Sequence, residues 1–456
     1  MTSTVQMPIW LLILILGFAV IAALDNVMIP SVRWFFRRRM EKVVARLNER
    51  LERPIQPFKL ARRYDMIQRL IYDPEVSKAI AEYAAQEGVP ENVAFEQARR
   101  YAQEIVPSFS ASAYFGVATR LAKFLSNTLY RVRLGHYEAE ALSAVDKDAT
   151  IVFVMNHRSN MDYVLVTYLA AERSALSYAV GEWARVWPLS RLIKAMGAYF
   201  ISRKSRGPLY RKVLARYVRL ATDAGVAQAV FPEGGLSLDG ALAPPRMGIL
   251  KYVVDGFNPE GRDVVFVPVA INYDRVFEDR ILIAADENGE RRFRARISVV
   301  FRFVAKQFWL RLRGTYHRFG YAAVSFGAPL SLTKFRQETP EATVEDLAGV
   351  LMERISDEVP VLPVPLVATA LLQGDAPISE AELDRRVATL IAQLPRALVH
   401  VPREDIHYAM SVGLRALVER RMVSDVNGQL VINPTDRAVL EYYAASIRHL
   451  VRRCSE

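Results

Sequence analysis

"TIVFVMNHRSNMDYVLVTYLAA", residues 150–171, decides how this chain folds. Thr150 to Met155 is a short apolar run that reads as a buried strand, "NHRSNMD" (156–162) is polar, and the apolar residues after it run on at helical length. His157 and Asp162 therefore fall where a strand gives way to a helix. The first N–H groups of a helix are free there, and its dipole favours negative charge. Spacing alone carries little weight, since six histidines give about 0.3 such pairs by chance. A second pair, His400 and Asp405 in "HVPRED", has no adjoining strand or glycine turn and reads as structural.

The texture of the opening stretch recurs downstream. "GAYFIS", "AQAVFPEGG", "VVFVPVAIN" and "AAVSFGAPL" are further apolar runs of strand length, separated by helical stretches such as "LYRKVLARYVRLATDAG". Continuous apolar strands alternating with helices predict an α/β fold, a central mixed sheet flanked by helices, over residues 141–335. Pro268 in "VPVAIN" suggests an edge or irregular strand. From about residue 55 to 135 the pattern is helical, with turn signals at "YDPE" and "EGVPEN", so residues 31–140 are expected as a helical domain. Residues 336–456 read as a C-terminal, mainly helical region, whose helix, Asn427-Gly428 hairpin and helix are winged-helix-like.

The chain's 456 residues, 52% hydrophobic and 24% charged, suffice for a large core in two or three domains. One cysteine, Cys454, excludes an intramolecular disulfide and a thiolate metal cluster. The net charge of +11 suits nucleic acid or an anionic membrane, both dense in phosphate. The N-terminus favours the membrane. "MPIWLLILILGFAVIAAL", residues 7–24, has no charge and about the length of a transmembrane helix, so residues 1–30 are expected to be an anchor. Arg33, Arg37, Arg38 and Arg39 follow closely, which argues against a cleaved signal peptide and keeps the body of a single-pass protein on the cytoplasmic face of the inner membrane. From about residue 32 to 52 a basic amphipathic helix is expected in the headgroup zone or packed on the next helices. Nucleic acid is not expected as a partner.

The junction can host chemistry. A neutral imidazole takes a proton from an alcohol near pH 7 when a carboxylate holds the ring and stabilises the imidazolium, with His157 the base and Asp162 the orienting acid. An oxyanion donor is also needed, which free N–H groups at the helix start could supply. "FPEGGLS" (231–237) puts Glu233, Gly234 and Gly235 at another strand end, where glycine lets backbone approach a ligand. "GAYFISRKS" (197–205) puts Arg203 and Lys204 past a third, as a phosphate site requires. The scattered histidines have no ligand spacing, and no Walker or Rossmann glycine string follows a strand, so neither a metal nor any cofactor is expected.

His-x4-Asp, Gly-x-x-Phe-Ile-x-Arg, Glu-Gly-Gly-x-Ser and Val-Pro-Val, in this order, resemble the four blocks of the glycerolipid acyltransferases. "HRSNMDYVLV", "GALAPPRMGIL" and "LEYYAASIRHL" look like the bacterial glycerol-3-phosphate 1-O-acyltransferase branch, related to the dihydroxyacetone-phosphate acyltransferases. The resemblance implies direct transfer of a fatty acyl group from a coenzyme A or acyl-carrier-protein thioester to the sn-1 hydroxyl of glycerol 3-phosphate, without an acyl-enzyme. By that resemblance His157 and Asp162 are catalytic, and Arg203, Glu233, Gly234, Gly235 and Arg246 bind substrate. Membrane lipid, the acyl thioester and a phosphorylated small-molecule acceptor are the implied partners. Two departures stand out: Leu236 where the family commonly has Arg after Glu-Gly-Gly, and Ser202 where it has the first arginine of Phe-Ile-Arg-Arg. Either Arg158, Lys204 or Arg246 compensates, or the acceptor is a lysophospholipid or another lipid alcohol or amine. A catalytically silent module binding lipid or carrier protein is the reading from a different class.

Overall fold

The computed structural model describes residues 8, 38–39, 41–170, 175–181, 189–201, 207–289, 318–374, 377–400 and 405–453. The chain divides into two compact units, Met1–Ile55 and Gln56–Glu456. In the first, residues 41–48 are helical and Lys42 and Arg46 are exposed, as are Arg38 and Arg39 before them.

The expected transmembrane helix is corrected by the fold: among the described residues no helix is long and apolar enough to cross a membrane. A span takes about 20 predominantly apolar residues. Pro208–Asp223, the longest continuous α-helix described, has 16 and carries Arg211, Lys212, Arg216 and Arg219. Of residues 7–24, which suggested the span, all but Pro8 lie outside the described residues.

After a single turn, Pro57–Leu60, the second unit continues with helices Arg63–Ile71, Pro74–Glu87 and Glu91–Ile105. The turn signals between them act as the sequence suggests. Asp73 caps the middle helix by accepting from Glu75 N, Pro74 follows at its first turn, and Gly88 ends it at φ 64°. These helices lie against Pro208–Asp223, where Arg216 pairs with Asp73 at 2.6 Å and Tyr101 meets Tyr210 edge-on at 5.2 Å.

An eight-stranded mixed sheet forms the centre, with strands β1 Arg131–Tyr137, β2 Thr150–Met155, β3 Ser177–Gly181, β4 Tyr199–Ile201, β5 Gln228–Val230, β6 Val264–Tyr273, β7 Tyr321–Phe326 and β8 Leu330–Ser331. The order is β1-β7-β6-β2-β5-β3-β4, with β8 also on β6. β1 begins inside the stretch read as helical, because only its pairing with the distant β7 makes it a strand. β2 and β6 are buried at every position, as unbroken apolar runs require when both faces are covered. Pro268 sits in this central strand, not at an edge. It occupies the gap between the two antiparallel partners of β6, β8 at Val265–Phe266 and β7 from Val269 onward, where its missing N–H is tolerated.

The C-terminal part contributes helices Val344–Asp357, Pro363–Leu371, Glu380–Gln393 and Ile406–Glu419. The hairpin β9 Val423–Val426 and β10 Gln429–Ile432 follows, turning on Asn427 and Gly428 at φ 55° and 78°. Helix Arg437–Ala445 comes next. This part shares one continuous core with the sheet, from Met66 to Leu450.

Candidate active site

β5, β2 and β6 are adjacent and parallel, with Val154 beside Val230 on one side and Met155 beside Val269 on the other. Their carboxyl ends thus open at one level, the usual place for a ligand in such a sheet. Asn156 ends β2 there: its amide exchanges two hydrogen bonds with the Ile271 backbone, at 3.0 and 2.7 Å, copying a strand residue before the chain turns.

His157 and Asp162 meet at this end, with Nδ1 2.9 Å from Asp162 Oδ2. The carboxylate only accepts, so Nδ1 carries the proton and Nε2 the lone pair. Asp162 is fully buried, yet its charge is well compensated. Oδ2 also accepts from the backbone N–H groups of Arg158 (2.7 Å) and Ser159 (3.1 Å), and Oδ1 from the Tyr273 hydroxyl at 2.6 Å. The imidazole is stacked on Phe231 at 4.1 Å and meets Tyr163 edge-on at 5.4 Å. Nε2 has no hydrogen bond among the described residues.

Glu233 is 4% exposed and joins the Glu-Gly-Gly turn to the histidine. Oε1 accepts from His157 N at 2.8 Å and Oε2 from Ala243 N at 3.0 Å. Burial pushes its carboxyl up to about 7, although those two N–H groups pull the other way. Both oxygens are thereby engaged in bracing backbone. Gly234, at φ 71°, lets the turn pass over the Arg246 side chain, which a β-carbon would meet at 3.0 Å. Gly235 follows it, half-buried. Arg246 donates its backbone N–H to Pro232 O at 2.7 Å; its exposed guanidinium has no ion pair among the described residues.

Arg158, expected with Lys204 and Arg246 as one of three alternatives for the compensating cation, lies inside the fold. It is 1% exposed, and its guanidinium donates to the carbonyls of Gly240 and Ser446. Arg203, Lys204 and Ser202 lie outside the described residues. The second His-Asp pair does not assemble: Asp405 caps helix Ile406–Glu419 through Tyr408 N, while His400 Nε2 has no hydrogen-bond partner among the described residues.

Sequence reasoning missed Tyr273, Phe231 and Glu278. Tyr273 and Phe231 end or follow strands whose carboxyl ends form the site, a signal that was present. Glu278 accepts from Ser159 Oγ at 2.7 Å and Asn160 Nδ2 at 3.0 Å, and no local pattern announces it.

Residues 136–272, which hold His157, Asp162 and Glu233 but end one residue before Tyr273, match the family model "Acyltransferase". Residues 308–453 match "Glycerol-3-phosphate acyltransferase C-terminal region". The chain is thus similar to acyltransferases over two separate stretches. Among similar proteins, a "Glycerol-3-phosphate acyltransferase" of Pseudomonas putida is 28% identical over 422 residues, covering 86% of this chain and 49% of that protein. One from Pseudomonas syringae pv. syringae is 26% identical over 421 residues, with the same coverage. The chain thus spans about half the length of the curated relatives it matches. The crystal structure of the 1-acyl-sn-glycerophosphate acyltransferase from Thermotoga maritima matches 57% of this chain and 79% of its own, at 18% identity and a TM-score of 0.33. That likeness is too loose to support any inference about this chain.

Proposed function

We propose that the protein transfers a fatty acyl group from an acyl-coenzyme A or acyl-carrier-protein thioester to the sn-1 hydroxyl of glycerol 3-phosphate, giving lysophosphatidate. The observation that carries this reading is an imidazole with Nδ1 fixed on a fully buried carboxylate and Nε2 unengaged among the described residues, at the shared carboxyl end of three parallel strands. The names of the relatives favour glycerol 3-phosphate as the acceptor.

In this reaction His157 Nε2 takes the proton of the acceptor hydroxyl as its oxygen attacks the thioester carbonyl. The tetrahedral intermediate collapses, the carbon–sulfur bond breaks, and the departing thiolate takes the proton back from the imidazolium. Asp162 holds the ring and stabilises its charged form. Glu233 keeps the histidine backbone and the Ala243 loop in place, and Gly234 and Gly235 let that loop lie close. Arg246 meets the acceptor phosphate, joined by Arg203 and Lys204. The amphipathic product puts the work at a membrane surface.

The test is an acceptor and donor screen with the purified protein. Labelled glycerol 3-phosphate and a long-chain thioester should yield lysophosphatidate. His157→Ala should lose on the order of 10²- to 10⁴-fold in rate, the usual contribution of a positioned base. Product from a lysophospholipid alone would replace the acceptor, and no product from any pair would remove the reading.

A further inference from the structure

Among the described residues, Arg158 is a buried guanidinium with no carboxylate at ion-pair distance and no hydrogen-bond partner for its Nε. Burying such a cation is unfavourable unless its N–H groups are used. The two carbonyls that use them lie 82 and 288 residues further along the chain. We propose that the C-terminal segment Tyr442–Ser446 is a positioning element of the active site, holding the His-x4-Asp loop through Arg158; this rests on the acyl-transfer reading for its kinetic consequence.

The segment reaches the site by three connected routes. Arg158 donates to Ser446 O at 3.3 Å, and its own backbone N–H donates to the Asp162 oxygen that holds the His157 ring. Ser446 Oγ accepts from Asn272 Nδ2 at 3.2 Å, and Asn272 precedes Tyr273, the hydroxyl donor to the other Asp162 oxygen. The Tyr443 hydroxyl accepts from Val276 N at 3.1 Å and donates to Asp279 at 2.6 Å. That flanks Glu278, which holds Ser159 and Asn160. Residues 158, 159 and 160 are therefore each fixed from outside the loop. Gly240, the other acceptor of Arg158, touches the same segment: a β-carbon there would lie 1.9 Å from Tyr442 O.

Arg158→Met keeps the apolar stem and removes the donors, Arg158→Lys keeps a cation, and Gly240→Ala pushes Tyr442 away while leaving Arg158 in place. In the full-length protein, hydrogen–deuterium exchange of Arg158→Met and Gly240→Ala should rise in peptides covering 157–162 and 440–448 and stay at the wild-type level in β2, β5 and β6. Their kcat should fall about 10- to 100-fold, the effect of sub-ångström to ångström misplacement, with KM for both substrates within about threefold. Arg158→Lys should recover part of the loss. Wild-type exchange in both variants would overturn the proposal, as would exchange raised across the whole sheet. If the wild-type protein transfers no acyl group, the acyl-transfer reading fails alone, and the exchange measurement still decides whether the segment holds the loop.

Discussion

At the scale of residues, the site rests on how one buried carboxylate is satisfied. Asp162 takes four hydrogen bonds, two from backbone N–H groups, one from an imidazole and one from a phenol. Hydrogen bonds to a charged acceptor are worth about 1.5–3 kcal/mol each. Tyr273→Phe removes one and leaves the other three, so kcat should fall roughly tenfold with KM unchanged, measured by steady-state kinetics. Glu233 gives a pH prediction. Its folded value of about 7 lies above the usual 4.5 because burial disfavours the anion. Its contribution to stability is therefore complete below about pH 4.5 and is lost as the pH rises through about 7. Glu233→Gln removes that dependence, so urea midpoints taken at about pH 5 and about pH 8 should differ less than in the wild type. Both Glu233 oxygens accept from N–H groups, whereas a glutamine amide offers one acceptor and sets a donor against the other. The variant should also lose about 1–3 kcal/mol overall.

At the scale of elements, close backbone approach sets the tolerances. Helix Ile406–Glu419 crosses Pro363–Leu371 at Gly413, where a β-carbon would lie 2.5 Å from Pro363 O and 2.7 Å from Val367 Cγ2. The obstacle is a backbone carbonyl in a helix, so the helices must separate. Gly413→Ala should cost about 1–3 kcal/mol, as overpacking does. Chemical denaturation reads the loss, and KM for both substrates should not move. The strand ends behave differently: Asn156 closes β2 with side-chain bonds to β6, which lets the chain leave the sheet at a defined residue and deliver His157 to the mouth.

At the scale of the whole molecule, the sheet, the N-terminal helices and the C-terminal helices of residues 56–456 share a core that runs from Met66 to Leu450 without a break. Leu440, Tyr442, Tyr443 and Ile447 are buried within it. A shared core ties the parts into one cooperative unit. Calorimetry of residues 56–456 should show a single transition with equal calorimetric and van't Hoff enthalpies. A separate transition for residues 136–272 would contradict this. The same continuity explains how a segment near residue 446 can bear on chemistry at residue 157.

Much of the site was legible because its information is local. The change from an unbroken apolar run to a polar heptapeptide marks the end of β2. His157 and Asp162, five residues apart on the turn that follows, meet whatever lies elsewhere. Glu-Gly-Gly at the end of β5 is readable for the same reason, as are Asp73 and Gly88 as helix punctuation. The N-terminal span was read from composition alone, and the described helices contain none long and apolar enough. Long-range pairing decided the rest. β1 is a strand because β7 lies beside it, Pro268 is central because its strand changes partners, and Tyr273 reaches Asp162 across 111 residues. Arg158 turns inward because Gly240 and Ser446 bring carbonyls to it, and a hydrogen bond between residues so distant in the chain leaves no trace in the sequence around either partner.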